Sequence, residues 1–494
     1  MARLKWFYGL LITVFLILAA RLIWLQLIKG QKYRLLADEN RIKLEYVRAD
    51  RGVIYDRYQR VLVRNAPDGR EYPLGEALAH IIGFMGKLSE ADWQVCQQQR
   101  QRGESCVYQL DDWLGKMGLE KTLDQQLRGQ PGGILSETDA EGKVVRQISA
   151  SEPIAGENIE LTLDSQLQVE IQRLLGSQKG AVVVSLPTTG EILALNSSPS
   201  FQPQHPDQPG EMFNRAISGL YPPGSVFKLI PALAALEEKK ITAKTLIEDT
   251  GEIIVGEYRY GNWYFNQYGQ TEGELDLVGA IRRSNDIFFY RLGEWLGARK
   301  LASWARLFGL GQTTGLELSG EAAGLVPDPD WKKKVKQEAW FLGNTYHMAI
   351  GQGDLLVTPL QINVLTNTVA ADGQLCRPYL LQSSQPDCHD LKLNQENLDL
   401  VKQGMKEVCQ PGGTAFPFFE FQVDGQVIEI AGKTGTAEFG HPEDKTHAWF
   451  TGFAPIDQPK ISITVLLEAA GEGSREAAPL AKEILEWWFK NRRD

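Results

Sequence analysis

From Trp6 to Ile28 the chain is apolar except at Arg21 and Gln26. As a helix this run is long enough to cross a hydrocarbon core of roughly 30 Å. No small-x-small cleavage pattern surrounds Leu18-Ala19-Ala20, and the apolar run continues past it as "LIWLQLI", so the segment is expected to stay as an uncleaved transmembrane anchor. Downstream the pattern shortens. "RADRGVIYDRYQRVLVRN" predicts a strand, a turn around Asp56 and Arg57, and a second strand, inside a polar and mixed region. From Glu152 onward, "NIELTLDSQLQVEIQRLL" predicts a strand followed by a helix, and "KGAVVVSLPTTGEILAL" predicts two antiparallel strands around a Pro-Thr-Thr-Gly turn. A mostly helical stretch follows, to about Leu310. Late in the chain "VIEIAGKTGTAEF", "HAWFTGFAP" and "KISITVLLEAA" predict three more strands, and "AAPLAKEILEWWFKNRR" an amphipathic closing helix. Strands at both ends with helices between them predict an α+β domain, an antiparallel sheet flanked by helices, over 152–494. It follows a tip and anchor over 1–29 and an elongated stalk over 30–151.

A net charge of -10, with no dense basic block interleaved with aromatics, argues against nucleic acid as a partner. The one strong basic cluster, "WKKKVK" at Trp331, is expected to be a solvated loop. Five cysteines over 494 residues do not make a disulfide scaffold. Cys96 with Cys106, and Cys376 with Cys388, are near enough in sequence to pair in an extracytoplasmic domain, and unpaired buried thiols fit equally well. No Cys/His spacing resembles a metal site. Arg3 and Lys5 precede the anchor, whereas Lys29, Lys32, Arg34, Arg41, Lys43 and Arg48 follow it, opposite to the positive-inside bias.

The candidate chemistry begins at "YPPGSVFKLIPALAALEE". Ser225 directly after Pro-Pro-Gly is a good helix N-cap, which is the bland reading. Residues i and i+3 of a helix lie roughly 5 to 6 Å apart, so Lys228 is also placed to take the Ser225 hydroxyl proton beside a positive helix end. "SND" at Ser284 and "KTGT" at Lys433 complete an ordered set with "SVFK" that matches the S-x-x-K, S-x-N-or-D and K-T-G motifs of penicillin-binding proteins and serine β-lactamases. "FNRAISGLYPPGSVFK", "AIGQGDLLVTPLQ", "GKTGTAE" and "HAWFTGFAP" resemble the transpeptidase domain of class B penicillin-binding proteins. The anchor, "RGVIYDRYQRVLVRN", "HIIGFMG" and "GLEKTLDQQLRGQPGG" are similar to the stalk of that class. Only residues 66–79 separate the strand pair from the "HIIG" motif, so a membrane-distal head subdomain is expected to be missing.

The resemblance implies a serine acyl-enzyme mechanism. Ser225 is the expected nucleophile, Lys228 the base and Ser284 the relay to the leaving amine. Lys433, Thr434 and Thr436 are expected to bind a substrate carboxylate, with Gly435 leaving room for the ligand and Asp286 among the substrate-side residues. The backbone N–H groups of Ser225 and Thr436 are the expected oxyanion hole. The implied substrate is a peptidoglycan stem peptide ending in D-Ala-D-Ala, with β-lactams as acylating mimics, and no organic cofactor or metal is expected. Asp286 at the third place of "SND" is similar to the elongation-type penicillin-binding protein 2 branch, where division-type enzymes read S-x-N. This implies lateral-wall synthesis with a SEDS-family glycan polymerase as partner, on the extracytoplasmic side of the cytoplasmic membrane. Some members of that branch carry Cys at the middle place beside a metal; here it is Asn285. A β-lactamase is the weaker alternative, because "EAAGL" at Glu321 does not match the E-x-x-L-N loop of class A enzymes. A β-lactam sensor is weaker too, since only five residues precede the span.

Overall fold

The computed structural model describes residues 2–67, 69–103, 106, 108–139, 141–206, 211–440 and 445–492. They form two compact units, residues 1–52 with 125–157, and residues 53–124 with 158–494. In the first, the helix Ala2–Ile23 runs through a π-helical turn, Trp24–Ile28, into Gly30–Arg41. Leu4–Ile28 is the one span among the described residues long and apolar enough to cross a membrane, and none of it is buried in the protein. Strand Gly132–Thr138 is the centre of a three-stranded antiparallel sheet between Ile42–Val47 and Val144–Ser151.

Residues 53–124, which the sequence places in the stalk, join the second unit because their first strand is shared. Ile54–Tyr55 pairs antiparallel with Val61–Ala66 and, in parallel, with Ile159–Glu160. The turn between the first two holds fully buried Asp56, whose Oδ1 accepts from the N–H groups of Tyr58 and Arg60, each at 2.8 Å. Its Oδ2 accepts from the Ser165 hydroxyl at 2.5 Å.

His80 of the "HIIG" segment is buried in the same unit. Its Nε2 lies 2.7 Å from Glu211 O and so must carry the proton, while Nδ1 faces the Ser200 hydroxyl at 3.4 Å. Burial first, then nearby Arg215, push this imidazole down to about 4, against the pull of the Glu211 carbonyl. His447, stacked on Phe439, is displaced by burial in the same direction, also to about 4. A base whose folded pKa lies below its unfolded value leaves the unfolded chain binding more protons in the interval between them. Stability is therefore full above about 6.5 and falls as pH drops toward about 4. His80 contributes on the order of 2–3 kcal/mol to that loss. His80→Gln, which keeps an N–H donor, is expected to flatten part of the fall in unfolding midpoint between these pH values, measured on the full chain in detergent.

The catalytic half is built on a five-stranded antiparallel sheet. Asp164 caps helix α1 (Ser165–Leu175) with bonds to the N–H groups of Gln166 and Leu167. Strands β1 (Gly180–Ser185) and β2 (Ile192–Ser198) form the first hairpin. Helices α2 (Leu229–Glu237), α3 (Leu277–Arg283), α4 (Asp286–Leu296), α5 (Pro359–Ala370) and α6 (Gln395–Val408) follow. The chain then returns as β3 (Ala431–Glu438), β4 (Thr446–Ala454) and β5 (Ile461–Leu467), and closes with α7 (Ala477–Asn491). The strand order is β2-β1-β5-β4-β3, which makes β3 an edge. Strand periodicity separates the two faces. Ser185 and Ser462 hydrogen-bond to Asn363 and Asn367 of α5, and Thr451 to Thr366 of the same helix. Val182, Val184, Ile463 and Val465 belong to a core cluster with Leu167 and Ile171 of α1 and Ile484 and Leu485 of α7.

Of the two readings left open for the cysteines, the structure shows pairing. Cys96 is bonded to Cys106, and Cys376 to Cys388 across a register pair of strands, with Cys409 free and buried. Disulfides of this kind persist in oxidising compartments.

Candidate active site

Ser225 is not a helix cap. Gly224–Lys228 is a 3₁₀ turn leading into α2, its N-cap is Pro223, and no side chain caps it. In a 3₁₀ turn residues i and i+3 eclipse, which places Ser225 directly above Lys228. Two glycines make the turn possible. Gly224 has φ +57°, donates its N–H to Gly351 O at 2.8 Å, and a Cβ there would lie 2.8 Å from Thr436 O. Gly351 has φ +76°, and a Cβ there would lie 2.1 Å from Gly224 O. The turn is also fixed to the sheet by Trp449, whose indole N–H donates to Pro222 O at 3.1 Å. The Ser225 hydroxyl is half-buried and has no hydrogen-bond partner among the described residues.

Lys228 is fully buried. Its Nζ donates to Ser284 O at 2.7 Å and to Asp286 Oδ1 at 2.7 Å, with Ser284 Oγ at 3.3 Å. Ser284 closes α3 in a left-handed conformation, φ +54°, which is costly for a residue with a side chain and which turns its hydroxyl between two lysines. Lys433 Nζ, also fully buried, donates to that hydroxyl at 2.8 Å and to Thr434 O at 3.0 Å. Ser284 Oγ thus accepts from both amines, and its own proton is free to point elsewhere. Burial lowers the pKa of Lys228, opposed by Asp286. Lys433 is lowered well below the ordinary range by burial and then by the neighbouring Lys228. One carboxylate beside two buried amines leaves the site short of negative charge, which disfavours the charged form of each amine.

The structure gives two expected substrate-side groups, Asp286 and the Thr434 hydroxyl, other partners. Asp286 does not face the substrate side: its Oδ1 takes Lys228 and its Oδ2 accepts from Trp263 N at 2.9 Å. A Cβ at Gly435 would meet Trp449 Cβ and Val226 Cγ1, each at 3.1 Å, and Pro223 O at 3.2 Å, so the serine turn packs on this face of β3. The Thr434 hydroxyl is paired with Thr414 Oγ1 at 2.6 Å, because strand alternation turns it away from the face that carries Lys433. Thr436 is exposed, and its hydroxyl, on the same face as that of Thr434, accepts from Gly473 N at 3.3 Å. Its carbonyl faces the Gly224 backbone, and in an antiparallel strand a residue's N–H and C=O point the same way, so the Thr436 N–H faces the serine turn as well. Asn285 caps α4, accepting from Phe288 N at 2.9 Å and donating to Glu272 Oε2 at 3.0 Å. Among the described residues no group of three or more His, Cys, Asp or Glu could hold a metal ion.

Sequence reasoning missed Gly351, Thr414, Asn262 and Glu272. Gly351 sits within "AIGQGD", quoted above only as a likeness, and the other three carry no local signal.

Residues 180–486 match the family described as penicillin binding protein transpeptidase domain, and residues 67–161 match the penicillin-binding protein dimerisation domain. The chain belongs to the class B penicillin-binding proteins. Within the class it is of the penicillin-binding protein 2 type, a serine D,D-transpeptidase of peptidoglycan in lateral-wall synthesis and shape maintenance. As a class B penicillin-binding protein of this type it is a single-pass protein of the inner membrane with a periplasmic catalytic domain. It is 32% identical over 469 residues to the peptidoglycan D,D-transpeptidase MrdA of Acinetobacter baumannii, covering 86% of this chain and 66% of that protein. Against MrdA of Escherichia coli K12 the identity is 32% over 460 residues, covering 84% and 70%. Among solved structures, penicillin-binding protein 2 of Helicobacter pylori in complex with MreC is similar at TM-score 0.80 and 26% identity, covering 92% of this chain and 99% of that one. A second, described as structural coordination of polymerization and crosslinking by a peptidoglycan synthase complex, has TM-score 0.77 and 27% identity, covering 98% and 97%.

Proposed function

We propose that Ser225 attacks the penultimate carbonyl of a stem peptide ending in D-Ala-D-Ala and that Lys228 accepts its proton. The observation that carries this is the buried Lys228–Ser284–Lys433 contact beneath an uncommitted serine hydroxyl. The tetrahedral oxyanion is held by the N–H groups of Ser225 and Thr436, where fixed donors are worth most. Ser284 passes the proton to the leaving D-alanine, and an amine from a neighbouring stem peptide resolves the acyl-enzyme. Lys433 supplies positive charge for the substrate carboxylate through this network, with the hydroxyls of Thr434 and Thr436 together on the other face of β3. β-Lactams acylate Ser225 in the substrate's place.

The anchor over 1–29 and the stalk over 30–151 bring the catalytic domain over 152–494 to its partners. The partners proposed are a SEDS-family glycan polymerase in the membrane and a scaffold of the MreC type. The similarity to a complex of polymerization and crosslinking, and to the Helicobacter pylori complex with MreC, supports this reading.

The purified full chain in detergent is expected to release D-alanine from a synthetic pentapeptide stem and to transfer the remaining acyl group to an added amine. A stem lacking the terminal D-alanine is expected to be inert. Equal turnover of both peptides would refute the substrate assignment.

A further inference from the structure

Asp286 is held by groups that lie in none of the motifs. Asn262 is fully buried; its Oδ1 accepts from Asp286 N at 3.0 Å and its Nδ2 donates to Asp249 Oδ2 at 3.0 Å. The next residue, Trp263, gives its backbone N–H to Asp286 Oδ2 at 2.9 Å and its indole N–H to Arg283 O at 3.0 Å. Asp249, itself buried, accepts from Gly251 N at 2.9 Å and from Glu272 N at 3.0 Å. Both oxygens of Asp286 are therefore assigned, one to Trp263 and one to Lys228, and its backbone is fixed by Asn262. A buried polar network of this kind adds little net stability, but it dictates one geometry.

We propose that the Asp249–Asn262–Trp263 relay is the positioning device for the general base, orienting the Asp286 carboxylate so that it holds the Lys228 amine beneath Ser225. This rests on the reading of Lys228 as the base. The groups facing Lys228 are Asp286 and the Phe289 ring from α4, Ser284 from the helix junction, Lys433 from β3, and Glu272, which is itself paired with Arg283. Tyr290 adds a phenol near Asp286. If Asp286 swings away, Lys228 keeps its burial but loses the partner that aims it, so the effect falls on acylation more than on folding.

The test is the second-order rate of acylation by a fluorescent penicillin, per folded molecule, across pH, on the full chain in detergent. Asn262→Ala is expected to slow it at least ten-fold. Asn262→Asp, equal in size, sets a second carboxylate against Asp249 and next to Asp286; it is expected to slow acylation at neutral pH and move the base limb to higher pH. Asp249→Asn combined with Asn262→Asp restores a donor–acceptor pair and is expected to recover part of the rate and return the limb toward its original position. Rates within two-fold of the parent and an unmoved limb in Asn262→Asp would overturn the proposal. Mapping the adduct separates the two readings: an adduct away from Ser225 in the parent protein sinks the assignment of the site, whereas an adduct on Ser225 with indifferent Asn262 variants sinks only the relay.

Discussion

Ser225→Ala is expected to abolish covalent labelling by a fluorescent β-lactam while the unfolding midpoint stays close to that of the parent protein. The hydroxyl has no partner among the described residues, so its removal breaks no bond and leaves no buried group unsatisfied. It sits on a turn held by Gly224, Gly351 and the Trp449–Pro222 bond, none of which touches the side chain. The whole loss should therefore be chemical. Peptide mapping of the parent should place the adduct on the fragment containing Ser225. Labelling of Ser225→Ala at normal stoichiometry would show that another nucleophile reacts.

Removing the base has a larger structural consequence, which can be separated from the catalytic one. Lys228→Met keeps the length of the side chain but cannot accept a proton, and acylation is expected to fall by about 10²–10⁴-fold. It also strands the buried carboxylate of Asp286, at a cost of about 3–5 kcal/mol. Adding Asp286→Asn removes that uncompensated charge, so the double variant should regain much of the stability and none of the acylation. If the double variant recovered both, the defect of Lys228→Met would be one of folding, and Lys228 would not be the base. In the parent, burial lowers the Lys228 pKa against the pull of Asp286, so acylation should decline along one limb as pH falls through that lowered value. That limb should be absent in Lys228→Met.

The order and type of the elements were legible because each rests on a short-range rule. The Val182–Val184 and Ile461–Leu467 runs alternate or run apolar as buried strands do, and the period of Ala477–Asn491 is that of a helix with one wet face. The proximity of Ser225 and Lys228 was legible for the same reason, since three residues of spacing fix their relation whether the turn is α or 3₁₀. The span was legible from its length and apolarity, and its retention from the absence of a small-x-small pattern.

What the sequence left open depends on contacts between distant segments. Whether Asp286 faced substrate or lysine was decided by Trp263, 23 residues earlier in the chain and brought to Asp286 by the fold, and by Asn262 accepting the Asp286 N–H. That one face of Gly435 packs on the serine turn was decided by Val226 lying against it. That residues 53–124 group with residues 158–494 was decided by the parallel pairing of Ile54 with Ile159. Local pattern determined the elements and the anchor, and it placed the proposed nucleophile and base one turn apart, because periodicity and i, i+3 spacing act within one turn. Only the tertiary structure decided where each buried amine and carboxylate points, because a buried polar group takes the partner that remote chain segments bring to it.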